Sequence, residues 1–311
     1  KTLESDADLL RRYTAAITGA TGIDCFDDWT RELEQTGYLH NHARMWFASI
    51  WVFTLRLPWQ LGADFFYRHL IDGDPASNTL SWRWVAGLHT KGKIYLALSS
   101  NIARYTDKRF DPGQKLATTA QPLTESRMFP LRELPEPEEM SAGLDYGLLI
   151  TEDDGCAETL PLDDRPKTIL GALATGQRSP LPVGRPATEF AIGAVSDALR
   201  RATQHFAVDG QLADTEDWSN LVAEWAEQHQ LKTIVTGHAP VGPVAEMLAS
   251  ARGKLAEHGV RLIQLRRPYD AIAWPHSTRG YFKLKDKIPG ILRQLDIEPA
   301  DEPIDTHSAA V

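Results

Sequence analysis

The 311-residue chain predicts an α + α/β protein, an all-helical first part followed by a parallel-sheet α/β part. Three observations carry that prediction. Six of the nine Trp lie in the first 110 residues (Trp29, Trp46, Trp51, Trp59, Trp82 and Trp84), within runs of helical length. Pro112, Pro122, Pro130, Pro135 and Pro137 then punctuate a stretch with little periodicity, as in a linker or a loop draped over the surface. Beyond it, short apolar runs alternate with amphipathic ones, the pattern of a parallel sheet with crossover helices.

In order, residues 5–17 read as a helix with Ser5 as N-cap, and Asp24 to Gln35 as a second that stops at Gly37. A long helix is predicted from Leu39 to Leu57, ended by Pro58. Shorter helices follow over 60–70, 77–86 and 101–110, with a polar loop over 72–78. In the second part, 148–151, 168–170, 233–236 and 260–265 read as strands, and 190–206, 218–230 and 244–258 as helices. The expected division is a helical region over 1–110, a linker over 111–142, a Rossmann-like α/β domain over 143–296 and a disordered tail over 297–311.

Composition excludes several classes. No apolar run reaches the ~18–20 residues of a membrane span. The longest, Met45 to Leu55, is flanked by Arg44 and Arg56 and reads as a buried helix, so no membrane association is expected. Two cysteines, Cys25 and Cys156, are too few for a disulfide framework, a four-Cys zinc site or an iron–sulfur cluster. A reducing, cytoplasmic compartment is expected, and no metal site. Opening on Lys1 within helical sequence reads as a fragment or a processed chain. Residues 1–110 hold 13 Lys and Arg against 12 Asp and Glu, and residues 111–311 hold 20 against 30. That balance gives no support for a basic nucleic-acid face. Nothing sets the oligomeric state.

Polar groups are threaded between the tryptophans: His40, Asn41, Arg44, Asp72, Asp74 and Asn78. A buried charge is costly unless it is paired or holds a ligand. Arg44 and the two aspartates are therefore expected to be partners, ligand contacts, or both. An aromatic-walled pocket with a few directed polar groups is the usual make-up of a cofactor site.

The segments TGYLHNHARM, WQLGADFF and LIDGDPASNTLSWRW resemble the flavin-binding helical domain of the DNA photolyase/cryptochrome family. The resemblance extends to GATGIDCFDDWTREL upstream and NIARYTDKRFDP downstream, over roughly residues 10–112. It implies FAD as cofactor and damaged DNA as a partner. Arg44 and Asp72 would form the ion pair beside the isoalloxazine ring, Asp74 would hydrogen-bond the flavin edge, and Asn41 would lie on the adenine or substrate side. Asn78 would face the flavin N5. Trp82 would be the proximal aromatic that reduces photoexcited flavin, with Trp59 the next step outward. The implied activity is that of a deoxyribodipyrimidine photo-lyase, in which excited reduced flavin donates an electron to a pyrimidine dimer. The alternatives are a cryptochrome-like photoreceptor, or a structural remnant that does not bind flavin alone.

There are departures from the family pattern. His42 stands where the family has an arginine that approaches the DNA backbone, and His supplies neither a permanent charge nor a bidentate fork. Pro75 is unusual, and no Trp lies near Asp6. The family's upstream half is missing, and its α/β domain precedes the helical one, whereas here an α/β region follows. That region is either an equivalent domain relocated or an unrelated one. Plain structural readings stand beside these. Trp29, Trp46 and Trp51 pack a helical core; His69 and His89 are surface or satisfied core residues; Glu152–Asp154 is a solvated loop after a strand. Thr236 to Pro243 is a tight strand-to-helix turn.

Overall fold

Apolar and aromatic side chains at helical spacing build the first layer of the protein. A computed structural model describes residues 2–130, 132–215, 218–278 and 280–297. The chain opens with α1 (Thr2–Ser5) and α2 (Ala7–Ile17). The cap of α2 is Asp6, not the predicted Ser5: its carboxylate accepts from the Leu9 N–H at 2.9 Å from an extended backbone, while Ser5 closes α1. Helix α3 (Asp24–Thr36) stops at Gly37, which takes the left-handed φ of 68° that glycine adopts without penalty.

The single helix predicted over 39–57 is α4 (Asn41–Ser49) running into a wide π-helical turn, Ile50–Thr54. There Leu55 N–H reaches back five residues to Ile50 O at 2.9 Å. Next come α5 (Trp59–His69), α6 (Pro75–Val85) and α7 (Ser99–Tyr105). Helix α6 starts two residues before the predicted Ser77. Pro75 occupies its first turn, where a missing N–H costs nothing, and Asp74 caps it by accepting from Ser77 N–H at 2.6 Å. The unusual Pro75 is thus a helix start.

Rings fill the middle of this helical unit. Phe26 stacks on Phe47 with centroids 4.1 Å apart, and Trp51 stacks on Phe65 at 6.2 Å. Trp82 meets Trp51 and Phe66 edge-on at 6.0 and 5.1 Å. Gly62 on α5 makes this possible: a Cβ there would lie 2.9 Å from Trp51 Cε2 and would overlap the Trp82 ring.

The described residues of 116–145 form no helix or strand, but they are tied down at both ends. Leu123 N–H donates to Ala86 O at 3.0 Å, and Arg83 pairs with Glu125. Further on, Glu138 accepts from Gln264 N–H at 2.6 Å and from Arg252 at 2.9 Å.

The α/β unit begins with β1 (Tyr146–Thr151) and β2 (Thr168–Ala172), followed by α8 (Arg185–Phe206) and β3 (Gly210–Leu212). Then come α9 (Trp218–Gln228), β4 (Thr233–Gly237), α10 (Pro243–Glu257) and β5 (Arg261–Leu265), and last α11 (Pro268–Ala273), α12 (Tyr281–Lys285) and α13 (Ile288–Gln294). All strand pairs are parallel, in the order β3-β2-β1-β4-β5. Every residue of β1, β2 and β4 is buried, as a parallel sheet covered on both faces requires. Ala198 and Ala202 of α8 cover one face, and Trp218, Trp225, Val244 and Leu248 of α9 and α10 the other. Strand β3, a three-residue edge strand, and the three short helices after β5 were not predicted. The predicted tail lies, beyond Ile297, outside the described residues.

Glu152–Asp154 is a solvated loop only at Asp153. The Glu152 carboxylate accepts from Ala174 N–H and Thr175 Oγ1 at 2.9 and 2.8 Å. Asp154 accepts two bonds from Arg267 at 2.7 and 2.8 Å. Their positions at the carboxyl end of β1, beside neighbouring strand ends, explain why: these two carboxylates face other loops, while Asp153 between them is exposed.

The two units touch through the end of α5. Gly184 N–H donates to Arg68 O at 2.9 Å, Arg68 Nη1 donates to Pro182 O at 2.9 Å, and Gly242 lies against Pro75. His69 is neither a surface nor a satisfied residue. It is half-buried against Phe65 and Gly184, its Nδ1 lacks a hydrogen-bond partner among the described residues, and burial together with Arg68 pushes the ring down to about 4.

Candidate cofactor site

Helices α4, α5 and α6 enclose a cavity of about 490 Å³ that opens to solvent. Six of the seven predicted site residues line it: Asn41, Arg44, Asp72, Asp74, Asn78 and Trp82. Its apolar floor is Met45, Ala48, Phe66, Trp82 and Val85, and its polar groups stand at the rim. The floor comes from the spacing of α6, where Asn78, Ser81, Trp82 and Val85 share one helical face.

Arg44 links the two sides of the rim. Its Nε donates to Leu39 O at 2.8 Å, and its Nη2 reaches Asp72 Oδ1 and Oδ2 at 3.1 and 2.9 Å. The Arg44 and Asp72 side chains are 24% and 51% exposed. The predicted pairing is present, but as a rim pair rather than a buried one. Asp74 spends one oxygen on the cap of α6. Asn78 is fixed by its own amide: Nδ2 donates to Ala63 O at 2.8 Å. Only the NH2 end can face that carbonyl, so the amide oxygen is the end left to the cavity.

Trp59 is the predicted site residue that the cavity does not include. It lies in a separate groove with Pro58, Leu88 and Glu125, under the Arg83 guanidinium at 5.7 Å. The ring that meets Trp82 on the side of the core is Trp51, which is wholly buried and donates from Nε1 to Pro58 O at 3.0 Å. Trp29 and Trp46 stack on each other at 5.7 Å within the core. His42 is held in the same pile, between Trp46 at 5.7 Å and Tyr105 at 5.6 Å.

A flat ring with apolar faces and a polar edge fits this floor and rim. A diphosphate does not fit as well: among the described lining residues the only Arg or Lys is Arg44, already paired with Asp72. Sequence reasoning missed Ser81, Val85 and Phe66 as lining residues, although the i+3 and i+7 positions from Asn78 on one helical face are Ser81 and Val85. A second cavity of about 890 Å³ lies at the carboxyl ends of β1, β4 and β5, with the Arg267–Asp154 pair, His238 and Trp274 in its walls. Among the described residues, no group of three or more His, Cys, Asp or Glu is placed to hold a metal ion, and no helix is long and apolar enough to cross a membrane.

Comparison with known proteins bears on the helical unit. Residues 2–145 match the family model described as the FAD binding domain of DNA photolyase, a longer span than the predicted 10–112. A deoxyribodipyrimidine photo-lyase of Streptomyces griseus is 39% identical over 107 residues, which is 34% of this chain and 22% of that protein. That of Vibrio cholerae is 36% identical over 94 residues, 30% of this chain and 20% of that protein. That of Thermus thermophilus is 36% identical over 100 residues, 32% of this chain and 23% of that protein. The chain thus spans about a fifth of the length of the curated relatives it matches. No solved structure matches. The matched domain takes FAD, which is therefore the cofactor.

Proposed function

From the premise that the helical unit belongs to the photolyase/cryptochrome family, we propose that the cavity between α4, α5 and α6 holds the ring end of FAD and serves light-driven repair of pyrimidine dimers in DNA. The observation that carries this reading is the gathering of Asn41, Arg44, Asp72, Asp74, Asn78 and Trp82 around one cavity. Bound and reduced, FAD supplies a one-electron donor that blue light excites.

The residues have distinct tasks. The Arg44–Asp72 pair braces α4 against the α5–α6 loop and sets the width of the mouth. Asp74 keeps one carboxylate oxygen for the ring edge. The Asn78 amide oxygen accepts a hydrogen bond at N5, and a neutral amide cannot itself supply a proton there. Trp82 closes the floor with an easily oxidised indole, which would stand ready to supply an electron to a flavin held there. Trp59 is the outward step implied by the family, and Trp51, in ring contact with Trp82, offers a second route. Asn41 stands at the mouth, where a base flipped out of DNA would enter. We take the protein to act in the reducing cytoplasm, and residues 1–110 and 143–296 to be domains joined by 111–142. First cleavage by protease between Gln114 and Ala142 tests that division.

The functional test has two stages. The purified chain is titrated with FAD and illuminated with a reductant, and Trp82→Phe should slow photoreduction sharply while leaving binding nearly intact. UV-irradiated DNA is then exposed with blue light, and the loss of dimers is measured. A chain that gains no flavin absorbance sinks the whole reading. One that photoreduces but repairs nothing supports a cryptochrome-like photoreceptor. A specific observation favours that second reading: His42 is stacked in the aromatic pile instead of offering a cation to a phosphate.

A further inference from the structure

We propose that Arg178, a residue of the α/β unit outside the cavity, is a positioning residue for the flavin site: it fixes the loop from Leu70 to Asp74 from behind. This rests on reading the cavity as the flavin site. Leu70, Asp72, Gly73 and Asp74 all line that cavity, and Arg178 does not.

The physical need arises at the end of α5. A helix leaves its last carbonyls without intrahelical donors, and they form the negative end of its dipole. Arg178 meets that need from the other unit. Its Nη1 donates to Leu70 O at 3.0 Å and to Tyr67 O at 3.4 Å, and its guanidinium lies over the Tyr67 ring at 5.1 Å. The same Leu70 carbonyl accepts from Gly73 N–H at 3.2 Å, so the bond that closes the loop and the bond from Arg178 share one oxygen. Ile71 N–H is tied separately to Gly37 O at 2.9 Å. Arg178 also packs against the back of Gly73: a Cβ at that position would sit 3.2 Å from Nη1.

What holds Arg178 is the sheet. It ends the 3-10 turn Thr175–Arg178 that follows β2. That turn is pinned by Glu152, at the end of β1, through Ala174 N–H and Thr175 Oγ1. A continuous set of contacts therefore runs from the carboxyl end of the central strand β1 through Glu152 and the turn to the loop that carries Asp72 and Asp74. On the far side of that loop, Pro75 rests on Gly242 at the start of α10. A lysine could reach one carbonyl but could not also lie flat on Tyr67.

The test compares full-length wild type, Arg178→Met, Arg178→Lys and, as a control, Arg200→Gln on the exposed face of α8. FAD affinity is measured by titration, and amide hydrogen exchange over residues 70–78 is measured without FAD. Loss of a charged hydrogen bond behind the loop should weaken FAD binding about tenfold in Arg178→Met, with faster exchange confined to that loop. Arg178→Lys should fall between, and Arg200→Gln should match wild type. At saturating FAD, photoreduction of Arg178→Met should equal wild type, because the residue sets the loop and touches no ring. Wild-type affinity in Arg178→Met overturns the proposal. If that variant loses protection across β1, β2 and β4 as well, Arg178→Lys decides, and a folded lysine variant with unweakened binding overturns it too. A wild-type chain that takes up no FAD fails the flavin reading first, and the proposal with it.

Discussion

Both units set a bare glycine under a tryptophan, yet only in the helical unit does the ring so seated line a cavity. In the helical unit, Gly62 admits the rings of Trp51 and Trp82, and Trp82 also forms the floor of the cavity. In the α/β unit, Gly147 of β1 admits Trp225, with Cζ3 at 3.0 Å from where a Cβ would be, and Leu231 closes in beside it. Their ion pairs differ in the opposite sense. Arg44–Asp72 sits at a wet rim, while Arg267 and Asp154 are only 17% and 14% exposed. Large rigid rings between helices stack and meet edge-on, and leave a gap at the border of the pile. Small alanines on α8 let a helix lie flat on a sheet and fill it. The difference teaches that an ion pair does not mark the ligand site here; the place where ring packing stops does.

The sharpest way to break this contrast is Arg267→Met. It leaves Asp154, only 14% exposed, with no cation, and should lower the stability of the α/β unit by about 3 kcal/mol in urea unfolding. A loss as small as that of a surface pair would mean that the sheet end is as wet as the cavity rim. Next is Gly62→Ala, which forces Trp82 off its seat. About 1–3 kcal/mol is expected from overpacking, followed by thermal unfolding, together with weaker FAD uptake because the floor moves. Asp72→Asn should cost less than about 1 kcal/mol in stability, as an exposed pair, yet should reduce FAD binding in titration. A large stability loss with unchanged binding would reverse the roles assigned to the two pairs.

The smallest expected effect is a pair of opposed pH dependences at the junction. His69 in the folded protein sits at about 4, below its ordinary 6.5, through burial and the Arg68 charge. Its neutral form is the one that the fold accepts, so its contribution is present above pH 6.5 and is lost as pH falls towards 4. Asp153 is exposed on its outer side but hemmed in on the other. That loss of water, then the Glu152 and Asp74 carboxylates, pushes it up from 3.8 to about 6, with Arg178 pulling the other way. Its contribution is present below pH 3.8 and is lost as pH rises through 6. After screening by water each should stay below about 1 kcal/mol. His69→Phe should flatten the acid side of a stability–pH curve, and Asp153→Asn the neutral side.

Much of the helical unit was legible because its signals are local. Gly37 as a stop and Pro58 as a break follow from single residues, and the polar residues of the cavity follow from their place among the tryptophans and from the family resemblance. What escaped was decided by distant partners. Ser5 lost the cap to Asp6 by one position, with no local cue to separate them. Trp59 and Trp51 look alike in sequence, and only the path of α5 places one in a side groove and the other against Trp82. The EDD run after β1 reads as solvated because the partners of Glu152 and Asp154, namely Ala174, Thr175 and Arg267, lie 22 to 113 residues further along. Strand β3 has three residues and pairs only at the sheet edge, too little for a period-2 pattern to show.

The π-helical turn Ile50–Thr54 carries a consequence for tolerance to deletions. One residue more than an α-helical turn is accommodated there, and Leu57 N–H still finds Trp51 O at 3.0 Å beyond it. Removing the one extra residue would let an ordinary helix run on with the side chains beyond the turn still on their faces, whereas a residue lost from the regular helix α4 would swing every side chain after the cut by about 100°. The loss in α4 would carry the Trp51 indole away from Pro58 O and out of the pile. A single lost codon in α4 would therefore do more harm than one in the π-helical turn that spares Trp51.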